Sequence, residues 1–96
     1  MFPKPSTNKI TIYSKSGCLN CIKVKDYLKA KNILFEVIDC DNYLLDDREA
    51  FIQFIFEISD CERTIFPIVF HGKKYIGGFN ETKLHIEKML DFEVDF

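Results

Sequence analysis

Cys18 and Cys21, with Leu19 and Asn20 between them, are the residues of this chain whose type and spacing best suit chemistry. A C-x-x-C pair inside cells is usually redox-active or metal-binding rather than a structural bridge. Two further cysteines stand alone. Cys40 lies between Asp39 and Asp41, and Cys61 between Asp60 and Glu62. Neighbouring carboxylates disfavour a thiolate, so neither reads as a primed nucleophile. Cys40 reads as a small core residue at a strand end, and Cys61 as similar but with loop exposure open to it. A structural zinc would need two more ligands at a recognisable spacing. Cys40 and Cys61 form no second pair, and His71 and His85 stand isolated, so no metal is expected.

The elements that must hold the pair are bounded by composition. With 96 residues the chain has room for one domain. Its 47% apolar and 15% aromatic content can fill a small core without a disulfide scaffold. Thirteen Lys and Arg against fifteen Asp and Glu leave a net charge of −2, without a basic stripe, which argues against a nucleic-acid partner. No apolar run approaches the roughly 20 residues of a membrane span. Residues 1–9 lack the apolar core of a secretory leader, so a cytoplasmic, soluble protein is expected.

Residues 1–8, with Pro3 and Pro5, read as a flexible or extended lead. Residues 9–14 alternate and are β-branched, which predicts a strand. After Ser16-Gly17, apolar Cys21, Val24, Tyr27 and Leu28 recur at three and four residues, one face of a helix over 18–31 that Asn32 ends. Residues 34–38 give a second strand, parallel to the first by a right-handed crossover. Asp46 and Asp47 suit the start of a helix over 48–58, chosen over a buried strand across the apolar run 51–58 because the stretch is long for a strand, with an apolar arc wide enough to leave Phe54 exposed. Residues 68–70 and 74–76 pair as a hairpin around His71-Gly72-Lys73. Gly77-Gly78 follows, and Asn80 suits the cap of a last helix running to about Leu90, with Leu84, Ile86, Met89 and Leu90 on its buried side. The order is β-α-β-α-β-β-α, with a domain over 9–91 and a loose tail over 92–96.

Cys18 thus falls where a strand loop enters a helix. The first helical turn offers unpaired N–H groups and the positive end of the dipole. A thiolate is stabilised there, below the free value of about 8.5, and Lys15 adds a positive charge in reach. Cys21 lies one turn further, on the arc with Val24 and Leu28. Cys18 is therefore the expected nucleophile, and Cys21 the thiol that resolves its mixed disulfide.

Residues 13–21, with Val24-Lys25 and Leu28, resemble the active-site strand and helix of the glutaredoxins. Residues 63–67, with Val69-Phe70 and Gly72-Lys73, are similar to that family's stretch around a cis-proline. Residues 76–81, Ile-Gly-Gly-Phe-Asn-Glu, resemble the glycine pair before its last helix. The resemblance covers the chain from about Lys9 to Leu90. It implies a thioredoxin-like α/β fold, a four-stranded mixed sheet flanked by three helices. It also implies a monomeric thiol–disulfide oxidoreductase that uses glutathione as co-substrate on disulfide-containing or glutathionylated proteins.

By the same resemblance Lys15, Asn20, Phe66, Pro67, Gly78, Phe79 and Asn80 are expected to bind glutathione. Lys15 would meet its glycyl carboxylate, and the Phe66 backbone its cysteinyl part. Gly78, Phe79 and Asn80 would hold the γ-glutamyl carboxylate at a helix start, where anions bind well. Pro67 is expected to be cis. Arg63 and Lys73, with Lys15, favour an anionic ligand. Leu19 and Asn20 depart from the family's Pro-Tyr, which implies a differently set helix start, a shifted redox potential and the loss of one wall of the groove; Ile65 departs from threonine, Phe66 from valine and Phe79 from cysteine, which implies a narrower or more apolar groove. Without proline between the cysteines, a [2Fe–2S] dimer is an alternative reading, and a non-catalytic binding module is another.

Overall fold

The computed structural model describes residues 2–62 and 64–94. Its elements run β1 (Ile10–Ser14), α1 (Leu19–Ala30), β2 (Phe35–Asp39), α2 (Asp41–Asp46), α3 (Arg48–Ser59), β3 (Ile68–His71), β4 (Lys74–Gly77) and α4 (Phe79–Val94). The strands form one mixed sheet in the order β2-β1-β3-β4. Strand β1 is parallel to β2 and antiparallel to β3, and β4 closes the hairpin against β3. This is the expected thioredoxin-like α/β sheet, with four helices rather than three.

The added helix, α2, contains no fully buried residue. Tyr43 and Leu44 are half-buried, and Leu45 is exposed. Six residues with no clean apolar stripe leave no periodicity to read, so the sequence pattern passes over it.

Strand β1 is the hub, because all five of its residues are buried. Successive side chains point to opposite faces, and each face meets its own helices. Ile10 and Ile12 join Val24, Leu28, Val69 and Ile86 beneath α1 and α4. Tyr13 joins Cys40, Phe51, Ile55, Ile68 and Phe70 beneath α3. Each large apolar side chain so buried contributes about 1.5–3 kcal/mol, which fixes the end of β1 that feeds Cys18.

The lead takes the extended alternative, and it is packed. Phe2 sits edge-on to Tyr43 and Phe51 and tilted against Phe54, with centroids 5.2–5.4 Å apart. The Tyr13 hydroxyl donates to the Pro3 carbonyl at 2.7 Å, and the Ser6 N–H to Thr11 Oγ1 at 2.9 Å. Phe2 therefore covers the wide arc of α3. Phe54 is half-buried there, and it is Phe56 that is exposed. Met1 lies outside the described residues.

Helix α4 begins at Phe79, not at Asn80. The Thr82 N–H donates to the Gly78 carbonyl at 3.0 Å, which makes Gly78 the capping position. Its buried side is Thr82 and Ile86, with Met89 and Leu90 partly buried, while Leu84 is 60% exposed. The helix runs on to Val94, through residues read as a tail. Asp95 and Phe96 lie outside the described residues. Gly72, in the hairpin turn, has φ 59°, and a Cβ there would lie 2.9 Å from the Thr7 carbonyl oxygen. A side chain fits neither condition.

His71 and His85 are not isolated. The end of β3 and the second turn of α4 bring His71 Nδ1 within 2.8 Å of His85 Nε2.

Candidate active site

Strand β1 ends at Ser14, and residues 15–17 carry the chain to α1 through Gly17, at φ 69°. Cys18 then occupies the N-cap of α1 in extended conformation, φ −110° and ψ 104°. Its Sγ accepts the Cys21 N–H at 3.1 Å. That contact uses one of the helix's orphan donors and shows what the first turn offers a thiolate, since a negative sulfur there gains the same N–H and the positive dipole end. Cys18 and Cys21 are joined as a disulfide with Cα atoms 5.2 Å apart. Cys21 is 1% exposed, whereas Cys18 is half-buried. The pair is thus asymmetric in the sense expected: the sulfur at the helix start is the accessible one.

Lys15 places its ammonium over the Phe66 ring, 5.4 Å from the centroid, a cation–π contact that ties the cysteine loop to the segment before Pro67. The Phe66–Pro67 bond is cis, and Pro67 is buried. Gly78 lies against this segment, since a Cβ on it would be 3.7 Å from the Pro67 carbonyl oxygen. Lys15, Phe66, Pro67 and Gly78 are therefore linked in space as well as in the motif pattern. Asn20 is exposed on the first turn of α1. Phe79 turns its ring onto Tyr27, centroids 6.3 Å apart, so its side chain serves the core while its N–H belongs to the open first turn of α4. Asn80 is exposed, and Arg63 lies outside the described residues.

Two cavities of about 270 Å³ flank these groups. One is lined by Lys15, Cys18, Ile22, Lys25, Val37 and Asp39 among others. The other is lined by Cys61, Ile65, Tyr75, Gly78 and Glu81. Leu19, Ile22 and Ile65 are all more than half exposed, which gives the site an apolar rim on which Ile65 is one of the departures expected to make the groove more apolar.

Three groups at the site carry contacts that the sequence pattern does not assign to them. Lys25, whose Nζ donates to Ser14 Oγ at 3.2 Å, stands seven residues after Cys18, two helical turns on, and that spacing was the available signal. Glu81 accepts the Gly78 N–H at 2.9 Å; a glutamate three residues after a cap is the mark of a capping box. Asp41 accepts both the N–H and the hydroxyl of Ser16, and no local pattern announces a contact across 25 residues. These hydrogen bonds, helped by Lys15, hold the Asp41 carboxyl below the usual range. Cys40 is no partner in the chemistry. Burial pushes its thiol up to about 12, with Asp39 and Asp41 adding to the shift and a hydrogen bond to Ser14 opposing it.

A family model described as glutaredoxin matches residues 10–76. The chain belongs to the glutaredoxin family. It is a thiol–disulfide oxidoreductase with Cys18 and Cys21 as its redox pair. This glutaredoxin is 32% identical over 78 residues to glutaredoxin 1 of Rickettsia typhi, covering 81% of this chain and 70% of that one. It is 34% identical over 86 residues to a glutaredoxin of Solanum lycopersicum, covering 88% and 76%. Among solved structures, glutaredoxin 1 from Francisella tularensis complexed with cacodylate superposes with a TM-score of 0.74 at 28% identity, covering 86% of this chain and 96% of that one. A buckwheat glutaredoxin–glutathione complex superposes with a TM-score of 0.65 at 23% identity, covering 86% and 73%; at that identity it speaks to the fold.

Proposed function

We propose that this glutaredoxin reduces protein disulfides and glutathione mixed disulfides at the expense of glutathione. The observation that carries the proposal is the seat of Cys18: an accessible sulfur at a helix N-cap, already accepting an N–H, beside a cavity bordered by Lys15 and Lys25. The Cys18 thiolate attacks a substrate disulfide, forming a mixed disulfide, and the departing thiolate takes up a proton. The Cys21 thiol loses its proton and attacks Cys18, releasing the second substrate thiol and leaving the Cys18–Cys21 disulfide. Two glutathione molecules return the pair to dithiol and leave as one glutathione disulfide. A glutathionylated protein needs only the first attack, followed by a second glutathione acting on the mixed disulfide at Cys18.

The tripeptide would bind from Lys15 across Phe66 and Pro67 to the start of α4. Its γ-glutamyl end carries both a carboxylate and an ammonium. The first N–H groups of α4, at Phe79 and Asn80, suit the carboxylate, and the Glu81 carboxylate beside Gly78 suits the ammonium. Asn20 would border the opposite wall. The working compartment would be the cytoplasm, where glutathione keeps such pairs reduced, and the working form a monomer acting without a metal.

The test is a coupled assay in which glutathione, its reductase and a glutathionylated peptide are supplied. Saturable turnover with wild-type protein, lost in Cys18→Ser, supports the proposal. Turnover with a dithiol reductant but none with glutathione would overturn the glutathione assignment and leave the dithiol chemistry standing.

A further inference from the structure

The packed lead does not close completely on the rest of the fold. Between it, the end of α3 and the β3–β4 hairpin lies a cavity of about 380 Å³, lined by Lys4, Pro5, Thr7, Ile58, Phe70 and Lys73. None of these residues lines either cavity beside Cys18. The walls are held by contacts on both sides. The Tyr13 hydroxyl holds the Pro3 carbonyl at 2.7 Å, and Thr11 Oγ1 holds the Ser6 N–H at 2.9 Å. Across the cavity the Gly72 N–H of the hairpin turn donates to the Lys9 carbonyl at 2.9 Å. Phe70 is fully buried at the base, and Pro5 and Ile58 are half-buried. A pre-formed concavity with apolar walls and a few polar groups is the usual build of a small-molecule site, and this one lies at the small end of that class. Its charges are of one sign. Lys4 and Lys73 are exposed, and among the described residues neither ammonium has a hydrogen-bond or ion-pair partner. No Asp or Glu among the described residues lines the cavity. Lys73, expected to favour an anion at the cysteine pair, stands here instead.

We infer that this cavity binds a small amphipathic carboxylate: one anionic head on a short apolar body. The body rests against Pro5, Ile58 and Phe70, and the aliphatic stems of Lys4 and Lys73 cover it while their heads stay in water. The carboxylate meets those two ammonium groups at the rim. Each part of the cavity excludes a class of ligand. A cation meets two like charges. An anion without an apolar body leaves the walls wet, which sets this site apart from the polar glutathione track at Cys18. Because both ammonium heads are exposed, their ion pairs are screened and individually weak. Burial of the apolar body therefore supplies most of the affinity, and the lysines choose the sign of the ligand.

The experiment titrates sodium octanoate, kept below its micelle concentration, into the full-length chain and follows the backbone amides by nuclear magnetic resonance. Octanol and octylamine serve as matched neutral and cationic probes. Octanoate should give saturable shifts at Lys4, Thr7, Phe70 and Lys73, with a dissociation constant on the order of 1 mM for so small a ligand. Octanol should bind several-fold more weakly, and octylamine should not saturate. Lys4→Gln removes one rim cation and should weaken octanoate by roughly 2–5-fold. Thr7→Glu, at an exposed position, sets a carboxylate at the rim and should weaken it by a like factor. Both variants should keep thiol–disulfide turnover at the wild-type rate, which shows that they are folded. Octylamine binding as tightly as octanoate would overturn the inference, as would octanoate shifts that spare all four amides. Octanoate affinity unchanged in both variants would overturn it as well.

Discussion

Asp41, the first residue of α2, holds Ser16, two residues before the active-site cysteine. The Ser16 N–H donates to Asp41 Oδ1 at 2.9 Å, and the Ser16 hydroxyl donates to Oδ2. Both oxygens of one carboxylate are thereby committed to the loop that delivers Cys18. The Asp41 N–H is itself held by Asp39 Oδ1 at 3.0 Å, so the end of β2 and the start of α2 act as a bracket for that loop. The helix absent from the sequence reading is thus the one that steadies the site.

The bracket makes a pH-dependent contribution whose sign follows from the depressed Asp41 carboxyl. A carboxylate bound in the folded state stabilises it above the unfolded value of about 3.9, and the contribution disappears as pH falls through the lower folded value. Wild-type protein should therefore exceed Asp41→Ala in Tm at neutral pH, and the gap should close on acidification below about pH 4. Amide exchange at Ser16 and Gly17 should be faster in the variant at neutral pH. A gap that stays constant down to strong acid would show that the carboxylate is not what holds the loop.

The readable parts of this molecule are those with local periodicity. The β-branched run Ile10-Thr11-Ile12 with Tyr13 reports β1, because such side chains pack well on a strand whose two faces are both covered. The spacing of Cys21, Val24 and Leu28 reports α1, because one face of it meets the sheet. The seat of Cys18 follows from those two elements alone. Helix α2, the packed lead and the His71–His85 contact were not legible, because each is decided by partners far along the chain. Phe2 is covered by Tyr43, Phe51 and Phe54, and nothing near residue 2 announces them. The cap of α4 was misplaced by two residues because Asn80 is the better capping type, yet Glu81 closes on Gly78 instead.

The asymmetry of the pair predicts different fates for its two serine variants. Cys18→Ser removes the exposed nucleophile and should abolish both protein-disulfide reduction and deglutathionylation. Cys21→Ser keeps the nucleophile and its N-cap, so deglutathionylation should persist while reduction of a protein disulfide falls by about 100-fold or more, since resolution must then come from solution. Steady-state assays on the two substrate types separate these outcomes. Retained turnover in Cys18→Ser would reverse the roles.

Cys40 should be silent toward alkylation. With no exposed surface and a thiol pushed up to about 12, it presents almost no thiolate at pH 8. In the reduced native protein iodoacetamide should label Cys18 within minutes and leave Cys40 unmodified until denaturant is added. Peptide mass spectrometry before and after unfolding reads this directly, and early modification of Cys40 would contradict the packing beneath α3.

The aromatic cluster gives the sharpest test of how the lead is held. Phe51 is fully buried and stacks on Tyr43 at 5.5 Å, so Phe51→Ala should cost about 3–5 kcal/mol. For a domain of this size that lowers Tm by on the order of 15–30 °C. Phe2→Ala removes a half-buried ring and should cost about 1–2 kcal/mol. The two losses should fall short of additive in the double variant, because the rings touch at 5.2 Å and neighbours in contact couple. A lead that merely trailed from the sheet would give no cost for Phe2→Ala and full additivity, so chemical denaturation of the two single variants and the double variant distinguishes a strap from a tail.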